Sequence, residues 1–400
     1  MFRHLLKLTW KRKTRNLMLS LEILLAFAIV FGVAAFGLRY LELYRMPLGF
    51  EGADVWSVAI KAGDKGNKPF EGEVYDSLRR GLAELPEVRG VAFASFAPYA
   101  MSTITSDLRR DSASRKEVHT EMLDGDDDLA GVLGLSVAEG RWFSSLDNGS
   151  AQQPVVINRR MAKAMFPGER ALGQQFTDSE GAQPSIAYRV VGVVDDFRPK
   201  GELAAPVNFV FTRAETSKMD RDLRTIVLKL KPGTTRDFER RLNARLKLIR
   251  NDWSYQIAPL SSERATMMKS RTIPLIVVGV IASFMLLMVA FGLFGALWQN
   301  TTQRIPEIGL RRALGASAGG IYRQIVAEQF LLSSIAIAFG LVLLVQLPLT
   351  GVLGESLNWS VFGAAALLSM AVIYLISSLC ALYPGWRASR LSPTEALHYE

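Results

Sequence analysis

The sequence predicts an integral membrane protein of four helices, with a large α+β domain between the first and second. Three observations predict it. Four apolar stretches, Leu17–Leu38, Ile273–Trp298, Ile325–Leu347 and Val361–Tyr383, each exceed 20 residues, and about 20 residues at 1.5 Å each cross a hydrocarbon core of ~30 Å. More than 200 residues of mixed polar and apolar sequence separate the first two. The short connecting segments differ sharply in lysine and arginine, the bias that sets orientation in a bilayer.

Residues 1–16 carry Arg3, Lys7, Lys11, Arg12, Lys13 and Arg15 and no acid. Phe2, Leu5, Leu6 and Trp10 share one helical face there, which predicts an interfacial helix. The first span, 17–38, is longer than the apolar core of a signal peptide. Arg39, Tyr40, Leu41 and Glu42 after it do not form a small-residue cleavage site, so it reads as an uncleaved anchor. The loop after the second span (273–298) carries Arg304, Arg311, Arg312 and Arg323, and the tail 384–400 carries Arg387 and Arg390, whereas 348–360 has neither lysine nor arginine. Both termini and the loop 299–324, with its coupling segment 299–320, are expected on the cytoplasmic side, and 39–272 and 348–360 outside. The net charge of +9 is then explained by membrane faces that attract anionic lipids, without nucleic acid. Trp10, Trp298, Trp359, Trp386, Tyr322 and Tyr383 fall near the expected interfaces. The only cysteine, Cys380, lies in the fourth span, 361–383, so the outer domain needs its own apolar core instead of disulfides.

Within 39–272, strands are expected at 54–60, 88–96, 154–158, 188–195, 207–212 and 225–230. In the first, Trp56, Val58 and Ile60 alternate. Helices are expected at 71–85, through Val74, Leu78, Leu82 and Leu85, and at 235–250, through Phe238, Leu242, Leu246 and Ile249. An inserted subdomain is expected around 98–200. Its first part, 98–128, is polar and ends in Asp124, Asp126, Asp127 and Asp128, and reads as a solvated loop; it lacks the glutamate of an EF-hand. From Ser261 or Ser262 a helix is expected to run into the second span, with Pro274 as a kink. Residues 39–48 and 262–272 would then be two stalks.

A short helix is written into 305–315. Pro306 suits a first turn and Gly315 a C-terminal cap. Glu307 precedes Arg311 by four, the favoured order for a helical pair. Ile308 and Leu314 are the apolar residues it could offer to a partner. Glu328, inside the third span (321–347), and Glu22, near the inner end of the first, are intramembrane carboxylates and so functional candidates; a packing partner for Glu328 and snorkelling of Glu22 are the structural alternatives. Three histidines, with only His119 outside, leave little for a metal site or a histidine-based triad. Asp195 and Asp196 are the best acid pair in the outer domain.

Four blocks carry a family resemblance: PVVINRRMAKAMFPGERALGQQF (154–176) followed by YRVVGVVDDF (188–197), IPEIGLRRALGAS (305–317), RQIVAEQFLLSSIAIAFG (323–340) and YPGWRASRLSPTEALHYE (383–400). In this order they resemble the MacB/FtsX-type permeases of ABC transporters, over nearly the whole chain. The resemblance implies a MacB-like periplasmic core at 39–272 and a multi-pass protein of the bacterial cytoplasmic (inner) membrane. It implies a dimeric subunit, moved by a cytoplasmic ABC ATPase, whose stalks transmit motion to the periplasmic domain. It assigns ATPase coupling to Pro306, Glu307, Ile308, Gly309, Arg311, Arg312, Leu314 and Gly315, and explains Asp195 and Asp196 as structural.

No G-x-x-x-x-G-K-[ST] sequence occurs in these residues. The expectation is that this chain binds no cofactor and is not itself the enzyme, with ATP and Mg on a separate subunit. The first span, LMLSLEILLAFAIVFG, departs from the glycine-rich pattern frequent in the family, so the partner permease is a second copy or a related chain. Export or extrusion of a peptide, antibiotic or lipid-like substrate, with a periplasmic adaptor, is the first functional expectation. The alternative is an FtsX-like transmitter that activates a periplasmic hydrolase.

Overall fold

The computed structural model describes residues 13–62, 72–101, 103–111, 116–178, 186–215, 223–351 and 357–390. Most of the expected interfacial helix and the last ten residues of the C-terminal block lie outside them. The chain divides into a helical unit, Met1–Glu42 with Thr272–Glu400, and an outer unit, Leu43–Arg271.

In chain order the elements begin with α1 (Lys13–Arg45), β1 (Val55–Ala62), α2 (Gly72–Ala83), β2 (Val88–Ala94), β3 (Ile104–Arg109) and β4 (Glu117–Gly125). There follow α3 (Leu129–Leu133), β5 (Val137–Gly140), β6 (Gln153–Asn158), α4 (Arg159–Met165), β7 (Gln175–Asp178), β8 (Ala187–Val194) and β9 (Phe209–Arg213). The last are β10 (Thr225–Leu230), α5 (Asp237–Ile249), β11 (Trp253–Pro259), α6 (Leu260–Thr302), α7 (Ile305–Ala313), α8 (Ala318–Leu344), α9 (Gln346–Thr350) and α10 (Trp359–Arg390).

Two β-α-β units build one half of the outer unit. β1, α2 and β2 form the first, and β10, α5 and β11 the second; the strands interleave antiparallel in the order β11-β1-β10-β2. Strand side chains alternate between faces. Trp56, Val58 and Ile60 of β1 therefore join Ile226, Leu228 and Leu230 of β10 against Tyr75, Leu78 and Leu82 of α2 and Phe238, Leu242 and Leu246 of α5. Each such fully buried side chain stabilises the fold by roughly 1.5–3 kcal/mol. Val55, Ala92, Ala94 and Val227 point to the other face, into a second core with Phe50, Phe197, Phe209 and Phe211.

The chain between β2 and β10 folds into a closed ring of six strands. Going round it, β4 pairs β3, β3 pairs β7, β7 pairs β8, β8 pairs β6, β6 pairs β9, and β9 returns to β4. Two of these joins, β6–β8 and β4–β9, are parallel. The seam between β3 and β7 is short, holding Leu108↔Asp178 and Arg109↔Thr177. Val155 and Ile157 face a third core with Leu108, Phe176, Tyr188 and Met161 of α4, while Val156 between them faces the second.

The expectation of a solvated loop at 98–128 is wrong: this stretch supplies β3 and β4. Val118 and Thr120 are buried between exposed Glu117 and His119, and burial is then continuous from Thr120 to Asp126. The acidic run misled because its members are paired. Asp126 accepts from Arg79 at 2.6 Å and from the Phe93 N–H at 2.9 Å. Asp128 also meets Arg79, Asp127 meets Arg213 at 2.7 Å, and Asp124 accepts from the Thr212 hydroxyl.

Among the described residues, four helices are long and apolar enough to cross a membrane: Leu17–Arg45, Leu260–Thr302, Ala318–Thr350 and Trp359–Arg390. α6 has 43 residues, ~65 Å at 1.5 Å each, about twice a hydrocarbon core. Pro274 lies inside it without ending it. Leu19, Ile23 and Phe27 of α1 pack with Leu293 and Leu297 of α6, Ala336 and Ile337 of α8 and Ile373 and Ala381 of α10. The Ser333 and Ser377 hydroxyls meet at 2.9 Å between α8 and α10, and Ser334 meets Tyr374 at 2.8 Å. Interhelical hydrogen bonds and small residues are what hold helices together where the solvent is itself apolar.

Candidate functional site

The site is built on α7 and the neighbouring ends of α6 and α8. Pro306 stands in the first turn of α7, Glu307 in the same turn, and Arg311 and Arg312 in the last, the charge order a helix dipole favours. The helix stops in a Schellman arrangement: the Ala316 N–H donates to the Arg311 oxygen and the Gly315 N–H to the Arg312 oxygen, both at 3.0 Å. Gly315 takes φ +97°, the left-handed conformation this cap requires. Ser317 then caps α8 by accepting from the Gly320 N–H at 3.1 Å.

A chain of charged and amide groups runs from α7 into α8. Arg311 donates to Glu307 at 2.7 Å and to the Gln324 amide oxygen at 3.0 Å. The Gln324 amide nitrogen donates to Glu328 at 3.0 Å, and Glu328 receives Arg304 at 2.5 Å. Arg304 and Glu328 are both largely buried, whereas Glu307 and Arg311 are about half so. The chain therefore begins in solvent and ends inside the bundle. These side chains line one cleft with Gln329, which is 2% exposed and whose amide oxygen and nitrogen both lack a partner among the described residues, as does Arg304 Nε. Buried polar groups of this kind are ordinarily satisfied by ordered water.

The sequence-predicted residues separate into two sets. Glu307 and Arg311 meet in the cleft and Glu328 joins them. Ile308 does not face outward as expected: it is buried against Ile321 and Ala388 of this chain, because it lies on the face of α7 turned to α8 and α10. Gly309 is buried beside it. Leu314 is exposed at 80%, and Leu310, which sequence reading passed over, at 57%. Glu22 lies away from this network, its carboxylate against Gly292 of α6, where an added Cβ would strike it. Asp195 and Asp196 of the outer unit are tied to α4, through Arg159 at 2.7 Å and the Arg160 N–H at 3.0 Å. Arg304, Gln324 and Gln329 were missed. The spacing of Gln324 and Glu328, four apart, and a glutamine inside an apolar run were the available signals.

In the outer unit a second constellation joins the two expected stalks. Arg198 is 1% exposed. It donates to the main-chain oxygens of Leu43 at 3.0 Å and Met46 at 3.1 Å, where α1 ends, and to those of Glu202 at 2.5 Å and Ala204 at 2.7 Å. Glu202 in turn pairs with Arg264 of α6. Tyr99 packs over Gly201; burial, reinforced by the Glu202 charge, pushes its hydroxyl up to about 12. The loop 198–204 thus grips the end of α1 and the start of α6 through one buried guanidinium and one ion pair.

Two family models match the chain: a MacB-like periplasmic core domain over residues 22–245 and an FtsX-like permease C-terminal domain over 279–393. A macrolide export ATP-binding/permease protein, MacB of Marinobacter nauticus, is 26% identical over 270 residues, covering 66% of this chain and 41% of the relative. The ABC transporter permease YknZ of Bacillus subtilis is 26% identical over 290 residues, covering 68% of each. The periplasmic region of MacB from Actinobacillus actinomycetemcomitans superposes with a TM-score of 0.38 at 17% identity, covering 57% of this chain and 98% of that one. The chain thus spans less than half the length of the first of these relatives and about two thirds of the second.

Proposed function

Because the chain belongs to the family of ABC transporter permeases with a MacB-like periplasmic core and an FtsX-like permease domain, we propose that it converts movement of a cytoplasmic ABC ATPase at α7 into movement of the outer unit. The observation that carries this reading is the polar chain Glu307–Arg311–Gln324–Glu328–Arg304. A push on a free short helix would be absorbed by the loops at its ends. α7 is instead tied to α8 and to the end of α6, so a force on exposed Leu310 and Leu314 reaches two long helices. Pro306 and Gly315 fix the ends of the contact element, and Arg311 and Arg312 offer charge to an acidic rim on the partner. At the far end, Arg198 and the Glu202–Arg264 pair make the loop 198–204 the receiver of stalk movement.

In this reading ATP and Mg are held by a separate polypeptide. The working unit is a dimer with a second copy or a related permease, both termini face the cytoplasm of a bacterial inner membrane, and the task is export or extrusion of a peptide, antibiotic or lipid-like molecule.

The partner ATPase is recovered by tagged purification from native membranes with mass spectrometry. Glu307→Ala with Arg311→Ala should then abolish stimulation of its ATP hydrolysis. The helix itself loses only a few tenths of a kcal/mol with the pair, so the loss reports the contact at α7 together with the Arg311–Gln324 tie to α8, and not unfolding of the helix. Normal stimulation by the double variant would overturn the assignment of α7. A periplasmic hydrolase in the purified complex would replace export by activation of that hydrolase.

A further inference from the structure

The ends of α6 and α10 enclose a second cavity, lined by Trp298, Thr302, Ile305, Pro384 and Arg387 among others. Trp298 and Arg387 of its lining belong to a ladder of rings and guanidinium groups that continues beside it. Arg387 lies over the Trp298 ring, 4.6 Å from its centroid, and Arg390 lies over Trp386 at the same distance. Tyr383 joins the two: it stacks on Trp298 at 5.7 Å with 8° between planes, and on Trp386 at 6.3 Å. A guanidinium over an aromatic face can still offer its N–H edge, and that edge matches a phosphate in the bidentate manner.

Charge at this end of the bundle is unbalanced. Among residues 299–351 and 357–390 the arginines are Arg304, Arg311, Arg312, Arg323, Arg387 and Arg390, and the carboxylates are Glu307 and Glu328. Both carboxylates are taken, by Arg311 and Arg304. Among the described residues Arg387 and Arg390 have no acidic partner, and both are exposed. Ile305, the first residue of α7, opens onto the same cavity, and no side chain caps that helix start. The start of that helix adds a positive dipole end. Phe294 extends the stack towards the middle of α6, contacting Trp298 and Tyr383 at 6.3 Å, so apolar surface continues from the charged mouth along the helices.

We infer that this cavity binds the phosphate of an anionic phospholipid headgroup, held by Arg387 and Arg390, with an acyl chain lying along Phe294. A headgroup phosphate satisfies the spare charge, and aromatic rings at an interface accommodate the junction of polar and apolar parts. A soluble phosphate compound would gain nothing from the apolar extension. The bound lipid would also touch the first turn of α7, making lipid charge a determinant of how that helix is set.

The test is native mass spectrometry of the full chain in mild detergent, titrated with phosphatidylglycerol or phosphatidylcholine of identical acyl chains. Wild type should retain phosphatidylglycerol at least fivefold better. R387Q/R390Q should lose that preference, and R387K, which keeps the charge and loses the fork, should weaken it. R323Q removes an arginine from the same end but outside the ladder and should leave the preference intact. A loss in R323Q equal to that in R387Q/R390Q would mean diffuse charge attraction and overturn the site. Displacement of the lipid by millimolar inorganic phosphate would identify a free phosphate instead, and would equally overturn the lipid assignment.

Discussion

Arg198 Nη1 donates to the main-chain oxygen of Leu43 at 3.0 Å, fastening a loop 155 residues downstream onto the last turn of α1. The same side chain serves Met46, Glu202 and Ala204. Arg198→Ala would leave four main-chain oxygens without their charged donor. Hydrogen bonds to a charged group are worth about 1.5–3 kcal/mol each and do not simply add, so a loss of at least ~3 kcal/mol is expected in denaturant unfolding of the full chain in detergent. Arg198→Lys should recover only part of it, because a single ammonium lacks the fork that reaches several oxygens. A change below ~0.5 kcal/mol, the size of an ordinary surface substitution, would contradict the clamp.

Glu328 and Arg304 should behave as a unit. Removing one partner of a buried pair leaves the other charge uncompensated, at a cost of about 3–5 kcal/mol, while removing both is far milder. E328Q and R304Q should each destabilise the helical unit more than E328Q/R304Q does. Thermal inactivation of partner-ATPase stimulation measures this, and additive losses in the double variant would argue against a direct pair.

The outer unit should show a pH dependence that traces to Asp126. Burial is the main cause pushing its carboxyl up to about 6, with Arg79 opposing, against an ordinary value of 3.8. Its folded state therefore holds a proton that the unfolded state has released. The contribution to stability is complete below the ordinary value and is lost as pH rises through about 6, roughly two units or ~3 kcal/mol at most. Denaturant midpoints between pH 4 and 7 should fall with rising pH less steeply in D126N than in wild type; identical slopes would remove Asp126 as the cause.

Gly340 of α8 faces Phe27 of α1 so closely that an added Cβ would lie 2.6 Å from Cδ1 of the ring. Phe27 is fully buried and has little room to yield. Gly340→Val should destabilise the detergent-solubilised chain by about 1–3 kcal/mol, as overpacking does. Shortening the ring by Phe27→Leu should recover much of the loss, a compensation read directly from melting temperatures.

The spans, the first β-α-β unit, β10 and α5 of the second and the α7 frame were legible because each rests on a local period or a fixed cap, whereas β11 was not expected. Trp56, Val58 and Ile60 alternate, Leu78 and Leu82 recur by helical turns, and Pro306 and Gly315 bound a helix whatever surrounds it. The six-stranded ring was not legible. Its strand β7 has only four residues, and the charges of β4 are satisfied by residues far away in sequence, such as Lys200 on Glu121 at 2.5 Å. Close packing of the first span was hidden for a related reason. The small residues that permit it, Gly292 and Gly340, stand on α6 and α8, opposite the bulky Glu22 and Phe27. Ile308 was placed on the wrong side of α7 because a nine-residue helix has too few apolar positions to reveal which neighbour they meet.

The register of β2 and β10 has a consequence for protein construction. Ala94, the last residue of β2, is directly paired with Thr225, the first of β10, so the whole six-stranded ring is spliced into the tip of what would otherwise be an ordinary hairpin. A two-residue Asn-Gly turn could bridge these strands and restore a four-stranded sheet with both helices in place. The cut would bare Val55, Ala92, Ala94 and Val227, the side chains that the sheet turns towards the second core. Replacing them with polar residues would convert that buried face into a soluble one. The ring is therefore an insertion at a single hairpin, and its removal would also bare Phe50, Leu260 and Met267 of the same core and break the contacts of Arg198 and Glu202 with the ends of α1 and α6.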